Sequence, residues 1–192
     1  SHVVQHCLEK GYKVIGISRS EEYPKVMLPY LYDGNISSNF SFFKLDVNKD
    51  LKKILKICDD NEPEIIANFA AQGEVRSSWQ NPSQWYETNT ISIVKLTDEL
   101  RKRTYLKKYL TASTPEVYGS TSDNLQENHS YSPSTPYAAS KLAGDLHLIT
   151  LHKRYEFPVV FTRSANVYGI HQQLYRIIPR VIIYLKMKKK IQ

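Results

Sequence analysis

Tyr137 and Lys141 stand four positions apart in the run Ser134-Thr135-Pro136-Tyr137-Ala138-Ala139-Ser140-Lys141. On a helix, residues i and i+4 share a face, which sets the ammonium of Lys141 beneath the phenol of Tyr137 and favours the ionised phenol. A tyrosine titrating near neutrality is a usable general base. Upstream, Ser113-Thr114-Pro115-Glu116-Val117-Tyr118-Gly119 sets a hydroxyl beside a carboxylate.

By itself the Tyr-x-x-x-Lys spacing says little, because 14 of the 192 residues are tyrosine and lysine is abundant. Context sharpens it. Residues 107–113 read as a short strand, with Thr114 and Glu116 at its C-terminal end, where open parallel sheets place ligands. Strand and helix alternate along the chain, which predicts a parallel sheet with helices on both faces. Strands are read at 12–17, 42–47, 64–69, 109–113 and 158–162. A helix end over 2–10 is closed by Gly11 at the C′ position, and Pro82 opens a helix running to about Arg103. Over 48–60, Leu51, Ile54, Leu55 and Cys58 recur at i, i+3, i+4, i+7, one apolar face. Residues 137–155 read as a helix with Leu142, Leu146 and Ile149 on one stripe, and 176–187 contain another. Residues 18–41 are polar and irregular; 120–136, rich in Ser, Asn and Pro, form a candidate substrate-side loop.

With 192 residues, 41% hydrophobic and 23% charged, the chain can bury a core and fits one domain. No apolar run approaches the ~18 residues that span a bilayer, so no membrane partner is expected. Cys7 and Cys58 lack neighbours at metal-ligand spacing; both read as small buried hydrophobes, no metal is expected, and unpaired thiols fit a cytoplasmic setting. The histidines His2, His6, His129, His147, His152 and His171 are scattered and read as surface or packing residues. A net charge of +7 raises nucleic acid as a partner. The charge is local, however: Arg101, Lys102, Arg103, Lys107 and Lys108 form one cluster, Lys186, Lys188, Lys189 and Lys190 another. Both read as solvated surface, and no nucleic acid is expected.

Five motifs occur in order: Phe69-Ala70-Ala71-Gln72 after a strand, Glu87-Thr88-Asn89 in the next helix, Ser113 to Gly119, Tyr137 with Lys141, and Arg163-Ser164-Ala165-Asn166-Val167-Tyr168-Gly169. In order and spacing they resemble the extended short-chain dehydrogenase/reductases that act on nucleoside-diphosphate sugars, over nearly the whole chain. The Thr-x-Glu triplet is similar to that of the 4,6-dehydratases and related decarboxylases, whereas 4-epimerases usually carry a small residue at the glutamate. Residues 166–179 look most like the dTDP-glucose branch; Ala70-Ala71-Gln72 and residues 10–17 lean toward the GDP-mannose branch.

The resemblance implies a Rossmann-like doubly wound fold and a 4,6-dehydratase reaction on a nucleoside-diphosphate hexose. The alternatives on the same scaffold are a decarboxylase, a 4-epimerase or a noncatalytic NAD(P)-binding protein. It implies Tyr137 as base at the sugar 4-hydroxyl, Lys141 as the group that lowers the phenol's pKa and holds the nicotinamide ribose, Thr114 as donor to the C4 oxyanion, and Glu116 as base at C5. Pro115 replaces an aspartate that acts as acid in the dTDP-glucose enzymes, which leaves Glu116 or a water for that step. Cofactor contacts fall on Arg19, Asp46, Val47, Ala70, Ala71 and Asn89, and Asn166 is a substrate contact. Arg19 at the end of the second family strand, with no acid before Glu21, resembles the NADP-using pattern, so NADP is favoured over NAD. The Gly-x-Gly-x-x-Gly turn of dinucleotide folds is missing, and Ser1-His2 resemble the residues after it. The expectation is therefore a partial NAD(P)-binding domain over 1–192, with the start of substrate-binding elements at about 165–192 and poor cofactor binding as it stands. Related enzymes imply a homodimer through the helices at 82–103 and 137–155.

Overall fold

Every strand pairing among the described residues is parallel, as the alternation of strands and helices requires. The structure is a computed structural model and describes residues 1–31, 38–120, 124–127 and 130–190. His129 and parts of the irregular stretch 18–41 and of the candidate loop 120–136 lie outside the described residues. Ser1–Lys44 together with Asn166–Gln192 make one compact unit, and Leu45–Ala165 make the other.

The first unit holds α1 (His2–Glu9), β1 (Val14–Ser18), β2 (Phe40–Lys44) and, after the second unit, α7 (Ile177–Lys186). Gly11, at φ +80°, follows the end of α1 and donates its N–H to Leu8 O at 2.9 Å, the role expected for it. β1 pairs with β2 from Val14 opposite Phe40 to Ser18 opposite Lys44. The second strand thus starts and ends earlier than the expected 42–47. Its register follows the aromatic rings: a Cβ at Gly16 would meet the rings of Phe40 and Phe42 at 3.3 Å, so the glycine makes room for both.

The second unit carries β3 (Ile65–Asn68), β4 (Lys108–Ala112) and β5 (Val159–Thr162), in that order across the sheet. Between β2 and β3 runs α2 (Leu51–Asn61), whose Ile54, Leu55 and Cys58 are buried as the periodicity predicts. α3 (Val75–Ser78) is a single turn that the sequence reading missed. The helix expected from Pro82 is α4 (Pro82–Tyr86), a π-helical stretch over Glu87–Ile91, and α5 (Ser92–Leu100) without interruption. α6 (Pro136–Tyr155) is capped by Thr135, whose side chain accepts from Ala138 N at 3.1 Å. Tyr109, Ile93, Leu100, Leu148 and Val117 form the centre of the core.

The face that α6 buries differs from the expected one. Leu146, in the predicted stripe, is 44% exposed, whereas Ala138, Ser140, Lys141, Gly144, Asp145, Leu148 and Leu151 are buried. Small and polar residues are inside because two backbones touch: a Cβ on Gly144 would lie 2.5 Å from the carbonyl oxygen of Asn89 in the π-helical stretch. Neither backbone can yield cheaply. Gly144→Ala should therefore destabilise the protein by about 1–3 kcal/mol, read as a lowered denaturation midpoint, although alanine is the better helix former.

In the first basic cluster, Arg101, Lys102, Arg103 and Lys107 are engaged with acids. Arg101 pairs with Asp98 at 2.8 Å, Lys102 with Glu99 at 2.7 Å, Arg103 with Asp59 and Glu99 at 3.2 and 3.0 Å, and Lys107 with Glu64. Cys58 is buried, Cys7 is half-buried and neither is bonded to the other, and among the described residues no three acids, histidines or cysteines converge on a metal position. No described helix is long and apolar enough to cross a membrane.

Candidate active site

β4 delivers its C-terminal end to the site. Beyond Ala112 the chain turns through Ser113 and Thr114 into a single 3-10 turn, Pro115–Tyr118. Thr114 caps that turn, its Oγ1 accepting from Glu116 N at 3.3 Å, and Pro115 occupies the first helical position, where a missing N–H costs nothing. Pro115, which departs from the aspartate expected of the dTDP-glucose branch, thus has a local structural reason. Gly119 closes the turn at φ +80°, a conformation open to glycine, and a Cβ there would collide with the carbonyl oxygen of Ser132.

Thr114 is buried, and its side chain hydrogen-bonds the phenol of Tyr137. Lys141 is buried one turn along α6 and donates its Nζ to Ala112 O at 2.6 Å. Glu116 is solvent-exposed on the turn, close enough for its charge to act on Tyr137. The four residues singled out for chemistry therefore gather at one strand end, inside one compact unit.

The electrostatics differ from the expectation. Burial pushes the Tyr137 phenol above its ordinary value, the Thr114 hydrogen bond pulls it down, and the charges of Glu116 and Asp145 push it up again. The i+4 ammonium does not set the balance, because Lys141 is turned onto the Ala112 carbonyl. Its own pKa is lowered by burial and partly restored by Asp145.

Asn89, fully buried in the π-helical stretch, is a connector. Its Nδ2 donates to Gln72 O and to Ser140 Oγ, both at 3.0 Å, and its Oδ1 accepts from Gln72 N at 2.8 Å. Beside it Thr90 Oγ1 donates to Ser140 O at 2.8 Å. One amide thus pins the loop after β3 to the helix of Tyr137. Ala70 and Ala71 lie on that loop with exposed methyls, and Ala70 N donates to Asn68 Oδ1 at 3.0 Å. A held backbone fronted by small side chains suits close approach by a flat or phosphorylated ligand, so these residues fit a dinucleotide. Asp46 and Val47 are half-buried ahead of α2, where the Asp46 carboxylate accepts from Asn48 N at 2.8 Å. Arg19, just past β1, and Asn166 belong to the other unit, where both are exposed.

Sequence reasoning missed Asp145 and the pairing of Arg163. Asp145 extends the Tyr137, Lys141 series by another four residues and is 2% exposed; its Oδ2 accepts from Ser113 Oγ at 2.5 Å and pairs with Arg163 Nη2 at 3.0 Å. A charged residue continuing a catalytic i, i+4 series was the available signal.

The site is thus a tyrosine and a lysine one helical turn apart beside a Thr-x-Glu strand end, in a parallel α/β unit. The family described as GDP-mannose 4,6 dehydratase matches residues 1–192, and the chain belongs to that family. Among curated relatives, the dTDP-D-glucose 4,6-dehydratase of Homo sapiens is 31% identical over 189 residues, covering 91% of this chain and 53% of that protein. The chain spans about half the length of such relatives. Among solved structures, dTDP-glucose 4,6-dehydratase from Bacillus anthracis in complex with NAD superimposes with a TM-score of 0.82 at 26% identity, covering 98% of this chain and 58% of that one. UDP-glucuronic acid 4-epimerase from Bacillus cereus, in complex with UDP-glucuronic acid and NAD, gives 0.81 at 27% identity, covering 98% and 60%. The fold is thus Rossmann-like, as expected.

Proposed function

We propose that this chain serves a nucleoside-diphosphate-hexose 4,6-dehydratase, with 1–192 as its NAD(P)-binding part and about 165–192 as the start of its substrate-binding elements. The observation that carries the reading is the meeting of Thr114, Glu116, Tyr137 and Lys141 at the end of β4. Tyr137 takes the proton of the sugar 4-hydroxyl. Thr114, already hydrogen-bonded to that phenol, stabilises the oxygen at C4. Glu116, exposed beside them, removes the C5 proton that a C4 ketone acidifies, water leaves from C6 with a proton from Glu116 or a water, since Pro115 has none to give, and C5 takes up a proton again from Glu116 or a water when hydride adds at C6. A bound nicotinamide dinucleotide would supply the hydride store that oxidation at C4 and reduction at C6 require. Lys141, the Ala70-Ala71 loop, Asn89, Asp46 and Val47 are its proposed contacts.

The nicotinamide assignment is supported by NAD in the solved relatives. Arg19 supports the 2′-phosphate form, and comparing NAD with NADP in turnover decides between them. Asn166 is the proposed substrate contact. The homodimer is proposed through α4–α5 and α6, which leave Tyr86, Ile91 and Leu146 exposed at 40%, 38% and 44%; a monomeric mass in solution contradicts it. A cytoplasmic setting goes with the reduced thiols.

Full-length protein supplied with NAD(P) and dTDP-glucose, GDP-mannose or UDP-glucose should form a 4-keto-6-deoxy product, with deuterium placed at C4 recovered at C6 by mass spectrometry. Epimerised sugar without loss of water would instead support the 4-epimerase reading, which the Bacillus cereus relative favours. Carbon dioxide from a uronic acid substrate would support the decarboxylase. Inactivity of folded protein on all of them would support a binding role.

Thr114→Val removes the hydrogen bond that pulls the Tyr137 phenol down and leaves burial and two carboxylates pushing it up. The acid limb of kcat/KM should therefore move to higher pH, since the base form then needs more alkaline solution.

A further inference from the structure

After Tyr137 and Lys141, the next residue of the i, i+4 series on α6 is Asp145, which the proposed chemistry leaves unused. Its carboxylate is gripped from two strand ends, by Ser113 beyond β4 and by Arg163 beyond β5. Arg163 is itself held, its guanidinium 5.3 Å from the ring centres of Tyr118 and Phe161 and 5.6 Å from that of Tyr131. Lys141 donates to Ala112 O, the carbonyl immediately before Ser113. The same strand end therefore receives the ammonium at one residue and the carboxylate at the next.

A buried ammonium gives up its proton unless a negative group compensates the lost hydration. We propose that Asp145 is a positioning residue, which keeps Lys141 protonated and directed at the strand end and fixes Ser113, hence Thr114, beside Tyr137. The inference rests on the dehydratase reading only for the work it assigns to Lys141 and Thr114. Burial draws the pKa of Lys141 down and Asp145 raises it, the direction this role needs.

The titratable and charged groups around the pair come from several elements. α6 contributes Tyr137, the turn after β4 contributes Glu116 and Tyr118, the segment before α6 contributes Tyr131, and the end of β5 contributes Arg163. On α5, packed against α6, Asp98 acts on His147. Among the described residues, Asp145 is the carboxylate whose charge acts on Lys141.

The test follows the 15N shift of the Lys141 amine with pH in full-length protein without substrate, alongside the pH profile of kcat/KM. Asp145→Asn keeps the shape and removes the charge; the Lys141 titration and the alkaline limb of kcat/KM should both move to lower pH by about one unit or more. Asp145→Glu should restore most of the shift. If Asp145→Asn does not fold, Asp145→Asn combined with Arg163→Gln removes both charges, and the acid shift should persist, smaller, because the carboxylate is still missing. Lys141 titrating as in the wild type in the folded single or double variant overturns the proposal and leaves the pair a structural staple. Failure of the dehydratase reading appears separately, as no 4-keto-6-deoxy product from wild-type protein, and leaves the lysine titration readable.

Discussion

Tyr137→Phe should lower kcat of the full-length protein by roughly 10²–10⁴-fold, the range that a positioned general acid–base contributes, while KM changes little. The substitution deletes one oxygen and keeps the ring, so α6 and its buried face are undisturbed. What disappears is the one group that is both half-buried beside a Thr114 hydroxyl and able to accept the proton of a sugar alcohol. The wild type adds a second readout. Because burial holds the phenol above its ordinary value before any ligand is present, activity should climb with pH across the neutral range, and this climb should vanish in the phenylalanine variant. Circular dichroism matching the wild type secures the comparison. Turnover within about tenfold of wild type would move the base to another residue.

Much of this site was legible in the sequence because it is local. Tyr137 and Lys141 are related by one helical turn, and Thr114 and Glu116 by one short turn at the end of a strand, so spacing alone sets them near each other. The α2 face was legible for the same reason: Ile54, Leu55 and Cys58 bury one side of a regular helix. What escaped depends on other elements. The predicted Leu142, Leu146, Ile149 stripe obeys helical periodicity, yet α6 turns its small residues inward, because Gly144 lets the π-helical stretch come within contact of its backbone. Apolar periodicity cannot see a face selected by closeness. The start of β2 at Phe40 depended on what Gly16 leaves room for across the sheet. Asn89 read as a cofactor contact; its two-sided clamp on Gln72 and Ser140 needs partners 17 and 51 positions away. The direction of the Tyr137 shift failed for a related reason. An i, i+4 rule gives the position of the lysine's helix turn but not the carbonyl that captures its ammonium.

Arg163→Met should destabilise the protein by about 3–5 kcal/mol at neutral pH, the cost of leaving a buried carboxylate without its cation. The arginine side chain is 14% exposed and Asp145 2%, so water replaces little of what is lost. Methionine fills comparable space between Tyr118, Tyr131 and Phe161, so what is lost is the cation together with its hydrogen bonds to the hydroxyls of Tyr118 at 3.2 Å and Tyr131 at 3.5 Å. The pH dependence separates this from a packing defect. The folded-state pKa of Asp145 is already raised, burial outweighing the help of Ser113, Arg163 and Lys141. A group so raised binds its proton more tightly in the folded chain, so its contribution is fully present below the unfolded pKa and is lost as pH rises through the folded one. Without Arg163 the carboxyl is pushed higher still. The penalty of Arg163→Met should therefore be greatest at neutral and alkaline pH and shrink on acidification, as the orphaned carboxylate takes up a proton and its buried charge disappears. Urea midpoints of variant and wild type, compared from pH 8 down to pH 5, read the difference directly. A penalty independent of pH would assign Arg163 to packing against the aromatic rings, and the charge of Asp145 would then need another partner.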